Sequence, residues 1–163
     1  MNEHIDTSDE ADELEVSTAF EELFIRVKEE ELGLEHPEAL RSANNLGNLL
    51  HKNGDHVRAE ELLRRALSGF EKVLGAEHSD TLNCTYHLGH VLYHKGDLEG
   101  SEILCRRALE GKEKTSEAEH PDTLGVVSML GLVLQDKGDY DEAEALHRRA
   151  LLGYEKSLGT EHP

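Results

Sequence analysis

Leu46-Gly47-Asn48-Leu49-Leu50-His51-Lys52-Asn53-Gly54-Asp55 returns as Leu88-Gly89-His90-Val91-Leu92-Tyr93-His94-Lys95-Gly96-Asp97, and again as Leu130-Gly131-Leu132-Val133-Leu134-Gln135-Asp136-Lys137-Gly138-Asp139. Each copy is displaced by 42 residues. Arg64-Arg65-Ala66-Leu67, Arg106-Arg107-Ala108-Leu109 and Arg148-Arg149-Ala150-Leu151 keep the same spacing, as do the Glu-His pairs ending at His36, His78, His120 and His162. Independent landmarks in one register mean that the chain is built from internal repeats, and this governs every other reading.

Each unit reads as two helices. Leu40, Ala43, Leu46, Gly47 and Leu50 fall at helical spacing on one face. Pro37 and Pro121 suit the first helical position, with Ser79 in that place in the middle unit. Gly54, Gly96 and Gly138 supply the left-handed residue that ends a helix. Asp55, Asp97 and Asp139 then stand as N-caps, and Asp139 with Glu142 has the spacing of a capping box. The second helix carries Leu62, Leu63, Ala66, Leu67, Phe70 and Leu74 as its apolar stripe. Small residues at Gly47, Gly89, Gly131, Ala66, Ala108 and Ala150 allow close backbone approach.

The period alone also suits HEAT or armadillo repeats. The internal pattern, with Leu-Gly in the first helix, Gly-Asp at the turn and spaced small residues such as Ala59 and Ala66 in the second, resembles the tetratricopeptide repeat. The Leu32-Gly33-Leu34-Glu35-His36-Pro37 linker and its copies lengthen the unit beyond the usual ~34 residues. This long form is similar to the kinesin-light-chain and nephrocystin-like type. The resemblance covers residues 32–163 and implies an all-α, right-handed solenoid of antiparallel helix pairs. It differs from the family pattern at Ala43, Thr85 and Val127, where a large residue is usual, and at Ser101, which replaces the small Ala59 and Ala143 of its neighbours. Gly100 weakens its helix by about 0.5–1 kcal/mol relative to Ala.

The expected organisation is an acidic, disordered tail over 1–9 and an N-terminal helix over 10–31. Repeats follow over 32–73, 74–115 and 116–157, then a stub of a further repeat over 158–163. Val16, Phe20, Leu23, Phe24 and Val27 form the stripe by which the N-terminal helix is expected to stack on the first pair. Leu146, Ala150, Leu151, Tyr154 and Leu158 are expected to lack a successor. The chain then reads as a fragment of a longer array or as one half of a homo-oligomer joined through the C-terminal helix face.

The 163 residues carry a formal charge of −18, with 35 acidic and 17 basic side chains. That balance argues against nucleic acid or an anionic membrane as partner. The most apolar run, Leu124 to Leu134, is 11 residues long, well short of the ~20 needed to span a bilayer. Cys84 and Cys105, with no CxxC, read as reduced thiols of a cytoplasmic protein. No catalytic motif stands out, so the chain is read as non-enzymatic and without a cofactor.

The informative surface is the face of each first helix opposite its buried leucines. It comprises Arg41, Asn44, Asn45, Asn48, His51 and Lys52 in unit one, and Asn83, Tyr86, His87, His90, Tyr93 and His94 in unit two. In unit three it comprises Gly125, Ser128, Met129, Leu132, Gln135 and Asp136. The resemblance implies that these faces line a concave groove for a peptide or a partner helix. Asparagine suits the task because its amide both donates and accepts. His87, His90 and His94 share one stripe and are candidate metal ligands, or a groove that gains positive charge in mild acid. Ordinary polar groove residues, on a solvated helix face, are the alternative.

Overall fold

The computed structural model describes the backbone of residues 7–115 and 120–158, and side chains over 16–115 and 120–157. Among these residues all regular structure is helical: α1 (Thr7–Leu32), α2 (Pro37–Lys52), α3 (His56–Val73), α4 (Ser79–His94), α5 (Leu98–Lys114), α6 (Pro121–Lys137) and α7 (Tyr140–Leu158). No described helix is long and apolar enough to cross a membrane. The expected tail lies, over residues 1–6, outside the described residues. The helix begins at Thr7, ahead of the expected Glu10.

The chain divides into two compact units, Met1–Val73 and Leu74–Pro163. In the first, α2 packs against α3 and α1 against α2. Leu40, Leu46 and Leu50 of α2 are buried, as are Leu63, Ala66 and Phe70 of α3. A Cβ on Gly47 would sit 2.7 Å from Leu63 Cγ, and one on Gly69 would sit 2.5 Å from Leu40 Cδ2. The helices therefore close on each other at two glycine contacts, of which the second escaped the sequence reading.

The apolar stripe of α1 does not do what the sequence suggested. Val16, Phe20, Leu23, Phe24 and Val27 are exposed, Phe20 by 65%. Ile25 and Thr18 are buried instead, and Asn53 donates to the Thr18 hydroxyl at 2.9 Å. Glu22 pairs with Arg58 at 2.5 Å and Glu29 with Arg65 at 2.6 Å, joining α1 to α3. Periodicity finds a stripe but not which face a neighbour meets, and here ion pairs and one isoleucine set the orientation.

In the second unit α4 packs on α5, α5 on α6, and α6 on both α7 and α4. A continuous core joins Cys105, Ala108 and Leu109 of α5, Val126 to Leu134 of α6, and Ala143 and Ala150 of α7. With neighbours on three sides, α6 is apolar around most of its circumference, as a helix buried in that way must be. Leu146 and Tyr154 pack partly buried against this core and Ala150 is buried, so the face expected to lie uncovered is largely used within the unit. Leu151 and Leu152 of α7 face out, at 58% and 59% exposure.

Each pair opens with the same device. His36, His78 and His120 occupy extended N-cap positions, and their Nδ1 atoms accept from the N–H of Glu38, Asp80 and Asp122 at 3.2, 3.1 and 3.2 Å. The second helices start as read: Asp55 Oδ1 accepts from Arg58 N–H at 3.1 Å and Asp97 Oδ1 from Gly100 N–H at 2.9 Å. A Cβ at Gly100 would strike the Asp97 carboxylate, which gives that glycine a reason. The capping box at Asp139 is not made, because Glu142 turns to a two-pronged pair with Arg106 at 2.8 and 2.9 Å. That guanidinium holds the Glu142 carboxyl below its ordinary range.

Candidate functional site

On α2, Arg41, Asn45 and Lys52 are exposed and Asn44 and Asn48 half-buried. His51 departs from the expected surface. It is 9% exposed, and its Nδ1 lies 3.2 Å from Nδ1 of His56, the first residue of α3. Its position in the last turn points the ring across the Gly54-Asp55 turn, so the imidazole ties the two helices together.

The α4–α6 face of the second unit is more elaborate. Tyr86, His90 and His94 are spaced four residues apart and therefore line up on α4. The Tyr86 and His90 rings stack with centroids 6.1 Å apart, and those of His90 and His94 lie 5.0 Å apart. His87 leans on Tyr86 at 5.7 Å, and Tyr93 meets His94 edge-on at 5.3 Å. These ring-bearing side chains form one row. Tyr93 also donates its hydroxyl to Asp136 Oδ2 at 2.8 Å, fixing the C-terminal halves of α4 and α6 together. That bond to a carboxylate raises the Tyr93 hydroxyl above its usual pKa.

Near the N-terminal halves of the two helices lies a cavity of about 240 Å³, lined by Asn83, Tyr86, His87, Pro121, Asp122 and Gly125. Gly125 lies beside the Tyr86 ring, and a Cβ there would meet the phenol oxygen only at ordinary contact distance, 3.8 Å. Burial is the main reason that the Tyr86 hydroxyl is also raised.

Further along α6, Ser128 is half-buried, while Leu132, Gln135 and Asp136 are exposed. Met129 is not a surface residue: at 3% exposure it belongs to the core, because α6 presents a wider buried arc than its counterparts. The three histidines of α4 do not converge. Within Leu74–Pro163, no three ligating atoms of described His, Cys, Asp or Glu residues lie within 4.8 Å of one another.

One contributor was missed. Lys112 of α5 is only 3% exposed, and its Nζ donates to Asn83 Oδ1 at 2.7 Å. The signal was in the register, since positions 70 and 154, one period away on either side, hold Phe and Tyr. A lysine where both neighbours place a packed aromatic is a substitution that composition and periodicity do not register.

Two tetratricopeptide repeat profiles match the chain, one over residues 18–72 and 38–114, the other over 123–163. No curated protein sequence matches it. Among solved structures, BtubC (BKLC) from P. vanneervenii superposes with a TM-score of 0.80 at 24% identity, over 93% of this chain. The chain spans 60% of the length of that relative. Nearly identical TPR-like repeats from a Podosopora anserina protein assigned as a kinesin light chain superpose with a TM-score of 0.78 at 26% identity, over 92% of this chain and 71% of that one. A variant of the same protein gives a TM-score of 0.79 at 25% identity, with the same coverage. Seven described helices in repeated pairs, the profile matches and these superpositions agree: the chain belongs to the tetratricopeptide repeat family, in its kinesin-light-chain-like form, with the all-α solenoid fold of stacked helix pairs.

Proposed function

We propose that the protein is a cytoplasmic adaptor or scaffold whose α4–α6 face holds an extended segment of a partner protein. Repeats of this family are in general protein–protein interaction modules. The observation that carries the reading is the row of rings from Tyr86 to His94 beside a cavity whose wall includes the polar side chains of Asn83, His87 and Asp122. Half-buried rings are rigid and amphipathic, so they offer contact area without much entropy left to lose on binding. A catalytic role has no comparable support, and the excess of acidic side chains argues against nucleic acid. Two amides of α2, exposed at Asn45 and half-buried at Asn48, are offered as a separate contact in the first unit.

The test is selection of peptides from a displayed library by the intact chain, repeated with Tyr86→Ala plus His90→Ala. The double variant should lose the selected peptides while keeping its circular dichroism spectrum. Equal recovery by both proteins would move the binding site elsewhere.

A second reading is self-assembly through α7, which the exposed Leu151 and Leu152 favour. Sedimentation equilibrium decides it. A dimer that becomes a monomer on Leu151→Glu supports assembly, and a monomer at all concentrations removes it.

A further inference from the structure

Lys112 puts a charged amine where the neighbouring repeats place Phe70 and Tyr154, and it lies almost wholly buried. Burying an ammonium is unfavourable unless its protons find acceptors. Among the described residues its Nζ meets the side-chain oxygen of Asn83 at 2.7 Å and forms no ion pair with a carboxylate. An ammonium can only donate. The Asn83 atom facing it must therefore be the oxygen, and the amide is held in one of its two orientations. Its NH₂ group is the end left over, and among the described residues it donates to nothing. Asn83 is also part of the wall of the 240 Å³ cavity.

We infer that Lys112 is a positioning residue that turns Asn83 into an obligate donor, making this cavity a subsite for an acceptor oxygen of the guest, the carbonyl of an amide or a carboxylate. An unconstrained asparagine would accept from one guest and donate to the next. The buried amine removes that freedom and converts a tolerant amide into a selective one. The inference deepens the adaptor reading and rests on it for the identity of the surface, but not for its test.

The intact chain is titrated with N-acetylglycine methylamide, sodium acetate and methylammonium chloride at constant ionic strength, following the side-chain NH₂ resonances of Asn83 by NMR. The amide probe and acetate should move these resonances, about fivefold more strongly than methylammonium, since one hydrogen bond is worth ~1 kcal/mol. The ratio of the first two responses tells a neutral carbonyl from a carboxylate. Lys112→Phe, which installs the side chain its register neighbours carry, should keep the helical spectrum and lose the discrimination. Asn83→Asp keeps an oxygen for Lys112 but offers the cavity no donor. With backbone resonances lining the cavity as the readout, it should abolish the response to the amide probe. Methylammonium acting as strongly as the amide on the unmodified chain overturns the inference, as does discrimination surviving in Lys112→Phe. If Lys112→Phe fails to fold, the Asn83→Asp titration decides: an unchanged amide response overturns the inference. Because no peptide is used, failure of the peptide selection leaves this result standing, and the reverse also holds.

Discussion

Nδ1 of His78 accepts the backbone N–H of Asp80 at 3.1 Å, and through this bond the imidazole does the work usually given to Ser, Thr, Asp or Asn. His36 and His120 repeat the arrangement, so the histidine of each linker is a helix cap and its recurrence is structural. His78→Ala should destabilise the chain by about 1 kcal/mol, and His78→Ser should restore most of it. Urea denaturation of the two variants checks this, and equal stability of His78→Ala and the parent would show the bond to be idle.

The glycine contacts are expected to resist improvement. Replacing a helical glycine by alanine ordinarily adds about 1 kcal/mol of stability. At Gly47 the new Cβ would meet Leu63, which is fully buried and cannot move aside freely. Overpacking of this kind costs ~1–3 kcal/mol, so Gly47→Ala should be net destabilising. A rise in the urea midpoint would mean that the α2–α3 pair can spread without penalty.

Ser101 should show the opposite sign. Its Oγ is buried with no hydrogen-bond partner among the described residues, while the equivalent positions hold Ala59 and Ala143. Removing a buried hydroxyl that makes no bond recovers ~1 kcal/mol of desolvation. Ser101→Ala should therefore raise the midpoint of thermal unfolding, and a fall would reveal a bond that Ser101 makes in solution.

Cys105 gives the chain a sensitivity to base. Burial pushes its thiol up to about 11, whereas an exposed thiol ionises near ~8.5. Between those values the unfolded chain has lost the proton and the folded chain has kept it. The stability associated with this thiol is thus complete below pH ~8.5 and declines as pH rises through the folded value. Unfolding free energies of the parent and Cys105→Ala, measured across that range, should show the steeper decline for the parent. Parallel curves would contradict it. The same burial should keep both thiols silent to an aromatic disulfide reagent until the chain unfolds.

Much of this molecule was legible beforehand because its devices are local. A glycine that ends a helix, an aspartate that caps the next and a proline at a first helical position act within a turn or two, and the backbone bears them out: φ is 82° at Gly54, 84° at Gly96 and 90° at Gly138. The 42-residue register multiplied each local signal by its copies. The candidate face was legible in outline for α4, where an i, i+4 spacing becomes a row of rings. It was misread at Met129 and His51, whose burial depends on how many neighbours surround their helices.

The amino-acid order by itself determined the pairs of helices, their ends and the repeat family, since those follow from turn chemistry and the 3.6-residue period. The tertiary structure alone decided three things: that α1 meets its neighbours through Glu22, Glu29 and Ile25, that Glu142 forsakes its own helix for Arg106, and that Lys112 orients Asn83. Each of these joins residues on different helices, and a linear pattern carries no record of which side chains packing will bring within hydrogen-bond reach.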